Sequence, residues 1–130
     1  MKEQVLLDSS IATLAARRDP IVLARLSLAL DVLVPEVVYG EMFYGAYRHA
    51  RLHASTKFLD LAELFVSQRQ FKLLRANINS ARICGAIRAE LDAKAQPIQS
   101  NDIWIAALAR QFSLTLLTRD GDFARVSGLT

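Results

Sequence analysis

Val5-Leu6-Leu7-Asp8-Ser9-Ser10 joins three apolar residues to three that carry side-chain oxygens. Its unbroken apolar start has no polar face, which suits a short strand buried on both sides better than a half-exposed one. Asp8, Ser9 and Ser10 then offer the side-chain oxygens that cap a helix N-terminus. A buried strand that passes directly into a capped helix is the opening half of a βαβ unit.

Working outward, the same alternation repeats. Asp19 and Pro20 are a cap followed by a first-turn proline, predicting a second helix through about Leu30. Val32 to Val34 is strand-like, and Pro35 opens another helix over PEVVYGEMFYGAYRHA. Beyond His53, residues Phe58, Leu61, Ala62 and Phe65 follow the spacing of an amphipathic helix. Phe71 to Leu74 reads as a short strand. Ile83, Ile87 and Leu91 mark a helix from about Asn77 to Lys94, ended near Gln96 and Pro97. IQSNDIWIAALARQF, Ile98 to Phe112, is helical and apolar almost all round, and LTLL, Leu114 to Leu117, is a further buried strand. Strands separated by helices indicate parallel crossovers. The expected architecture is a three-layer α/β/α sandwich around a mostly parallel sheet of four or five strands, in one domain over residues 1–130. The apolar helix at Ile103 to Phe112 has two readings, a fully internal position or a second face buried against a partner subunit.

The bulk properties agree with one compact domain. The 130 residues are 52% hydrophobic with five glycines and three prolines, which excludes a low-complexity or disordered chain. Cys84 is the single cysteine, so no intrachain disulfide forms, and its place in a helical pattern suits a small hydrophobe. The apolar run in MKEQVLLD is too short for a signal peptide or a membrane span, and a cytoplasmic protein is expected. A net charge of +3 is compatible with a polyanionic partner and gains weight only if the acids prove to be clustered.

Acids do fall where a parallel sheet binds ligands, beyond the carboxyl ends of its strands. Asp8 follows the first strand, and Thr118, Arg119, Asp120, Gly121 and Asp122 follow the last. Asp102 lies in the first turn of the apolar helix, where the macrodipole alone could account for it and Ser100 or Asn101 could cap. Glu41 shares a helix face with Val37 and Gly45, beside Val38 and Met42, where a lone carboxylate is costly. The alternative is a glutamate at the stripe's edge that reaches water or an arginine. Gly40 and Gly45 each cost about 1 kcal/mol of helix propensity relative to alanine, predicting a close-packed backbone at that helix. If Asp8, Glu41, Asp102 and Asp120 converge, their repulsion amounts to several kcal/mol at an effective dielectric of about 20. A hard cation, Mg²⁺ or Mn²⁺, is the natural counter-ion for such an all-oxygen set, and no cysteine or histidine cluster supports zinc. One ion or two would suffice to activate a water and stabilise a phosphodiester during in-line displacement.

The stretches VLLDSS, VVYGEMFYGA, NDIWIAALA and LLTRDGDF, in this order and framing nearly the whole chain, resemble PIN-domain ribonucleases and, within them, VapC-type toxins of toxin–antitoxin pairs. The resemblance implies that Asp8, Glu41, Asp102 and Asp120 surround Mg²⁺, with Asp8 and Asp102 the most direct ligands. It further implies that a hydroxyl at Ser10 or Thr118 orients a water or a carboxylate. Asp120 or Asp122 faces the metal; the position after Thr118 and Arg119 favours Asp120, with Asp122 capping the turn that follows. Ser9 stands where such proteins usually carry threonine, which keeps a hydroxyl. Also implied are a homodimer, an RNA substrate, and a cognate antitoxin whose C-terminal segment covers the acidic groove and places a basic side chain in it.

The remaining polar features have plainer readings. RHARLHA, Arg48 to Ala54, holds His49 and His53 four apart, a spacing able to bind metal but more often a solvated face. Arg48, Arg51 and Arg119 are candidate contacts to RNA phosphates. Tyr39, Tyr44, Tyr47 and Trp104 suit packing or dimer contacts, since they sit inside helical apolar patterns. Two other functions fit parts of the sequence. A catalytically silent PIN-fold module binding RNA or protein would keep the fold without needing all the acids. A receiver-like signalling domain would need an acceptor aspartate after the Phe71 to Leu74 strand, where Arg75 and Ala76 stand instead.

Overall fold

The structure is a computed structural model and describes residues 2–129. Strand β1 (Gln4–Leu7) passes through Asp8 into helix α1 (Ser9–Ala16), followed by α2 (Pro20–Leu26), β2 (Asp31–Pro35), α3 (Glu36–His53) and α4 (Lys57–Ser67). Then come β3 (Phe71–Leu74), α5 (Ile78–Ala93), α6 (Ser100–Gln111), β4 (Thr115–Leu117) and a 3-10 turn over Gly121–Arg125. Among the described residues the sheet has four strands in the order β3-β2-β1-β4, every pair parallel, with Val5 opposite Val32 and Leu7 opposite Leu117. Right-handed crossovers from β1 to β2 to β3 place α1 to α4 on one face, and the return from β3 to β4 places α5 and α6 on the other. The expected three-layer sandwich is therefore what forms.

The core explains why VLL reads as a doubly buried strand. Val5, Leu6 and Leu7 are fully buried, and α6 buries Ile103 and the run Ile105 to Ala109 against the same cluster. Each such leucine or isoleucine contributes about 1.5–3 kcal/mol through removal from water. The apolar α6 is thus internal, and no partner is needed to explain it. Cys84 is half-buried and packs on the core, as a small hydrophobe would.

Three local expectations need correction. Helix α2 stops at Leu26 with Ser27 as its C-cap, leaving Leu28 and Leu30 exposed, because the chain must reach β2 and the Leu30 amide bonds the Glu3 carbonyl. Neither Ser100 nor Asn101 caps α6; the N-cap is Gln99 and it forms no side-chain capping bond. A Cβ at Gly40 or Gly45 would meet no atom within 4 Å, so among the described residues no backbone packs closely on them.

Helices α5 and α6 are joined by a polar knot at the edge of their interface, around the buried Ser80. The Asn77 side chain caps α5 by accepting from the Asn79 and Ser80 amides at 3.0 and 3.2 Å, and it also accepts from Gln111 Nε2 at 3.0 Å. The buried Ser80 hydroxyl donates to Gln111 Oε1 and accepts from the Asn77 amide. Every member has a partner, so the knot costs little to bury. Asn77→Ala removes the cap and the bond from Gln111 Nε2. It is expected to lower stability by about 1–2 kcal/mol, read as a thermal midpoint several degrees lower; an unchanged midpoint would deny the knot any role.

Candidate active site

Strand β1 connects onward to β2 on one side, while its other neighbour, β4, arrives last in the chain; a crevice opens at the carboxyl edge where the winding reverses in this way. Asp8 leaves β1 there and Thr118 leaves β4 there, and because Leu7 and Leu117 are in register the two meet. Asp8 is only 3% exposed, and a carboxylate so deep must be hydrogen-bonded. Its Oδ1 accepts from the Ser10 hydroxyl at 2.6 Å and from the Ile11 amide at 3.0 Å, and its Oδ2 accepts from the Thr118 hydroxyl. The Ile11 bond makes Asp8 the N-cap of α1, where the helix dipole also favours its charge.

The same two hydroxyls fasten the loop after β4. Thr118 Oγ1 accepts from the Asp120 amide at 2.9 Å, and Ser10 Oγ accepts from the Arg119 amide at 3.2 Å. Asp120 is thereby held next to Asp8 through a single threonine. Its Oδ1 accepts from the Asp122 amide at 2.9 Å, making Asp120 the cap of the 3-10 turn. The capping role expected of Asp122 belongs to Asp120, because the turn begins at Gly121, two residues earlier than a cap at Asp122 would place it. Asp122 instead pairs with Arg125 at 3.5 Å.

Asp102 enters from the opposite layer. Helix α6 leads into β4 and runs back along the sheet, so its first turn lies at the carboxyl edge. The macrodipole on its own would stabilise the charged form and lower the pKa. The Asp102 pKa is instead pushed up to about 6, first by burial and then by the negative charges of Asp120, Glu41, Asp8 and Asp122. Four other carboxylates thus add to the effect of burial, which a local dipole effect alone does not explain. Without a counter-ion the folded chain holds this proton more tightly than the unfolded chain, whose carboxyl titrates near 3.8. The contribution of Asp102 to stability is therefore greatest below about pH 4 and declines as pH rises through about 6.

Glu41 completes the ring from α3. Its Oε1 is buried and, among the described residues, has no hydrogen-bond partner, so no arginine of these pairs with it. A buried, unpaired carboxylate oxygen among other acids is the arrangement a hard cation resolves. Among the described residues, no three His, Cys, Asp or Glu side chains already close into a metal-holding group. The donor set fits Mg²⁺ or Mn²⁺ in its chemistry, all oxygen and with one oxygen unsatisfied.

The remaining candidates are spread around this centre. Glu41 lines one end of a groove of about 310 Å³ between α1, α3 and α4, together with Thr13, Arg17, Gly45, Arg48 and His49. Arg51 is exposed and does not line it, and Arg119 lines a separate hollow with Ile21, Val22 and Leu116. His49 and His53 stack with ring centroids 4.5 Å apart, and no third metal-ligating side chain joins them among the described residues. Tyr39 packs on Phe65 at 5.9 Å, whereas Tyr44 and Tyr47 are 70% and 62% exposed and do not belong to the core. Nothing in the sequence singles out Arg17, because its partner in the groove wall, Phe58, is 41 residues away.

Known proteins share this fold. Ribonuclease VapC5 of Mycobacterium tuberculosis is 32% identical over 62 residues, a stretch that is 48% of this chain and 46% of that protein, so the match spans less than half of either. The DNA-bound VapBC structure from Salmonella typhimurium superposes with a TM-score of 0.83 at 25% identity, covering 99% of this chain and 96% of that one. FitAcB from Neisseria gonorrhoeae gives 0.77 at 27% identity, over 96% and 94%. VapBC2 from Rickettsia felis, at 24% identity and a TM-score of 0.81 over 97% and 95%, shares the fold. The PIN domain family matches residues 5–129, almost the full length, and the chain belongs to that family.

Proposed function

We propose that this protein is a divalent-cation-dependent endoribonuclease of the VapC type, the toxin of a toxin–antitoxin pair, which hydrolyses RNA phosphodiesters at the cluster of Asp8, Glu41, Asp102 and Asp120. The observation that supports it most is the raised pKa of Asp102 among the other acids together with the unpaired buried oxygen of Glu41. The similarity to a ribonuclease in sequence and to VapBC and FitAB complexes in structure supports the same reading.

Bound at this cluster, Mg²⁺ or Mn²⁺ supplies water activation and neutralisation of charge on a phosphodiester during in-line displacement. The chain's own residues hold the cluster ready. Ser10 and Thr118 donate to the two oxygens of Asp8, which fixes the plane of that carboxylate. Thr118 also holds the Asp120 amide, so Asp8 and Asp120 keep a constant separation. Glu41 and Asp102 close the centre from α3 and α6. Preorganised charges of this kind need no rearrangement when the transition state forms.

The partners follow from the same family of shapes. An antitoxin with a basic side chain is a natural inhibitor of an acidic centre, and the structural relatives named VapBC and FitAB support such a partner. Gly40, Tyr44, Tyr47 and Arg51 form an exposed stripe on α3, which offers a surface for a homodimer. No helix among the described residues is long and apolar enough to cross a membrane.

Incubation of the purified protein with RNA tests the nuclease reading. Cleavage is expected with Mg²⁺ or Mn²⁺ and should stop in excess EDTA; cleavage that persists in chelator would point to metal-free chemistry. Thermal unfolding gives a second measurement. At about a hundred times its dissociation constant a bound cation should stabilise the fold by about 2.7 kcal/mol. That gain should be larger at pH 7 than at pH 5, because below about 6 the cation must displace a proton from Asp102. A gain that is independent of pH would separate cation binding from Asp102.

A further inference from the structure

We propose that the end of the groove remote from Glu41 is a second subsite for the RNA strand, in which Arg17, Arg48 and His49 hold a backbone phosphate away from the cleaved bond. The proposal rests on the RNA reading above and deepens it. On α3 the residues Glu41, Gly45, His49 and His53 recur every fourth position and so lie along one face of the helix. From Glu41 to His49 the helix rises by about 12 Å. One stripe therefore joins the carboxylate cluster to the basic end over the reach of a few nucleotides.

The floor of this path is apolar, formed by Ala16, Met42, Ala46 and Leu61, and its charged residues stand at the two ends. Glu41, at the metal end, is the sole acid among its lining residues, whereas Arg17, Arg48, His49 and His53 line the other end. Among the described residues no carboxylate forms an ion pair with Arg17 or Arg48. Phe58 orders the basic end: the Arg17 guanidinium lies 4.9 Å and the Lys57 ammonium 5.0 Å from its ring centroid, and His49 packs edge-on to it at 4.5 Å. The Arg17 and Lys57 cations are held by a neutral ring, which leaves their charge available to a ligand, while burial and the neighbouring His53 and Lys57 lower the His49 pKa, so His49 adds a polar ring rather than a fixed charge. Gly45 lies midway, and a Cβ there would meet nothing within 4 Å, so the path is open where any longer side chain would obstruct it. That accounts for a glycine in mid-helix that packs against no other backbone. A single RNA strand matches both features, its phosphates meeting the basic end and its bases the apolar floor.

The test measures binding separately from cutting. In an Asp8→Asn background, which keeps RNA intact, the affinity of a fluorescently labelled single-stranded RNA is read by anisotropy over a range of salt concentrations. Arg17→Gln and Arg48→Gln should each weaken binding severalfold and reduce the salt slope by about 0.7, the value for each phosphate of a single strand that a cation no longer neutralises. Gly45→Gln should weaken binding at least tenfold while raising the thermal midpoint, since glycine is the poorer helix former, so its effect cannot be assigned to unfolding. In the otherwise wild-type enzyme, Arg17→Gln should raise KM more than it lowers kcat. Unchanged affinity and salt slope in all three variants would overturn the subsite. So would variants that lose only the binding of a protein inhibitor, which would assign the groove to a polypeptide. RNA binding that depends on Arg17, Arg48 and Gly45 in a protein that never cuts RNA would uphold the subsite and reject the nuclease reading.

Discussion

Asp8→Asn is expected to reduce RNA cleavage by about 10²–10³-fold or more, while the protein stays folded. The size follows from loss of a charge preorganised at the reacting centre. The survival of the fold follows from the hydrogen bonds. Asparagine is as good an N-cap as aspartate and can still accept from the Ile11 amide, now 3.0 Å away. What it cannot do is accept from both Ser10 and Thr118, because one of its two ends is a donor. That mismatch costs about 1–2 kcal/mol, offset by relief of repulsion with the neighbouring acids. Cleavage assayed beside circular dichroism and thermal unfolding separates the two effects. Full activity in a folded Asp8→Asn protein would remove the proposed mechanism.

The second large effect distinguishes a cluster built for a cation from a merely structural one. Asp102→Asn should abolish cleavage to a similar degree, yet it should raise the thermal midpoint of the metal-free protein at pH 7. The reason is the sign of its shift: with a pKa of about 6, Asp102 is charged at pH 7 against the preference of its surroundings. Removing that charge relieves the fold. The benefit should shrink as pH falls below about 6, where the wild-type group already carries a proton. Addition of Mg²⁺ should stabilise the wild type and leave Asp102→Asn nearly unmoved, so the order of stability reverses when the cation is present. A destabilised Asp102→Asn protein at pH 7 without metal would show the carboxylate to be a favourable structural group instead.

The legible parts of this chain are those in which one local rule dominates. VLL suits only a buried strand, and the Asp19-Pro20 pair opens a helix, so strand order aside, the layers follow from periodicity. Asp8 is legible because a residue that leaves a buried strand must lie at an edge of the sheet. Glu41 stands out as a charge inside an apolar stripe, and only the structure reveals that its buried oxygen has no partner. What the sequence hides depends on distance through space. The division of labour between Asp120 and Asp122 is set by Thr118, which bonds both Asp8 and the Asp120 amide, and no spacing reveals that bond. The end of α2 escapes the pattern because Leu28 and Leu30 continue its apolar run but are exposed, the chain having turned to start β2. Gly45 reads as a sign of close packing although the space beside it is open, since a missing side chain is compatible with either.

The most direct test of a cation centre is calorimetric titration of Mn²⁺ into the folded, metal-free protein near pH 6, repeated in buffers of different ionisation enthalpy. Saturable uptake is expected with release of part of a proton from Asp102, and both the uptake and the proton signal should vanish in Asp102→Asn. Folded wild-type protein that takes up no Mn²⁺ would contradict the proposed chemistry at its root.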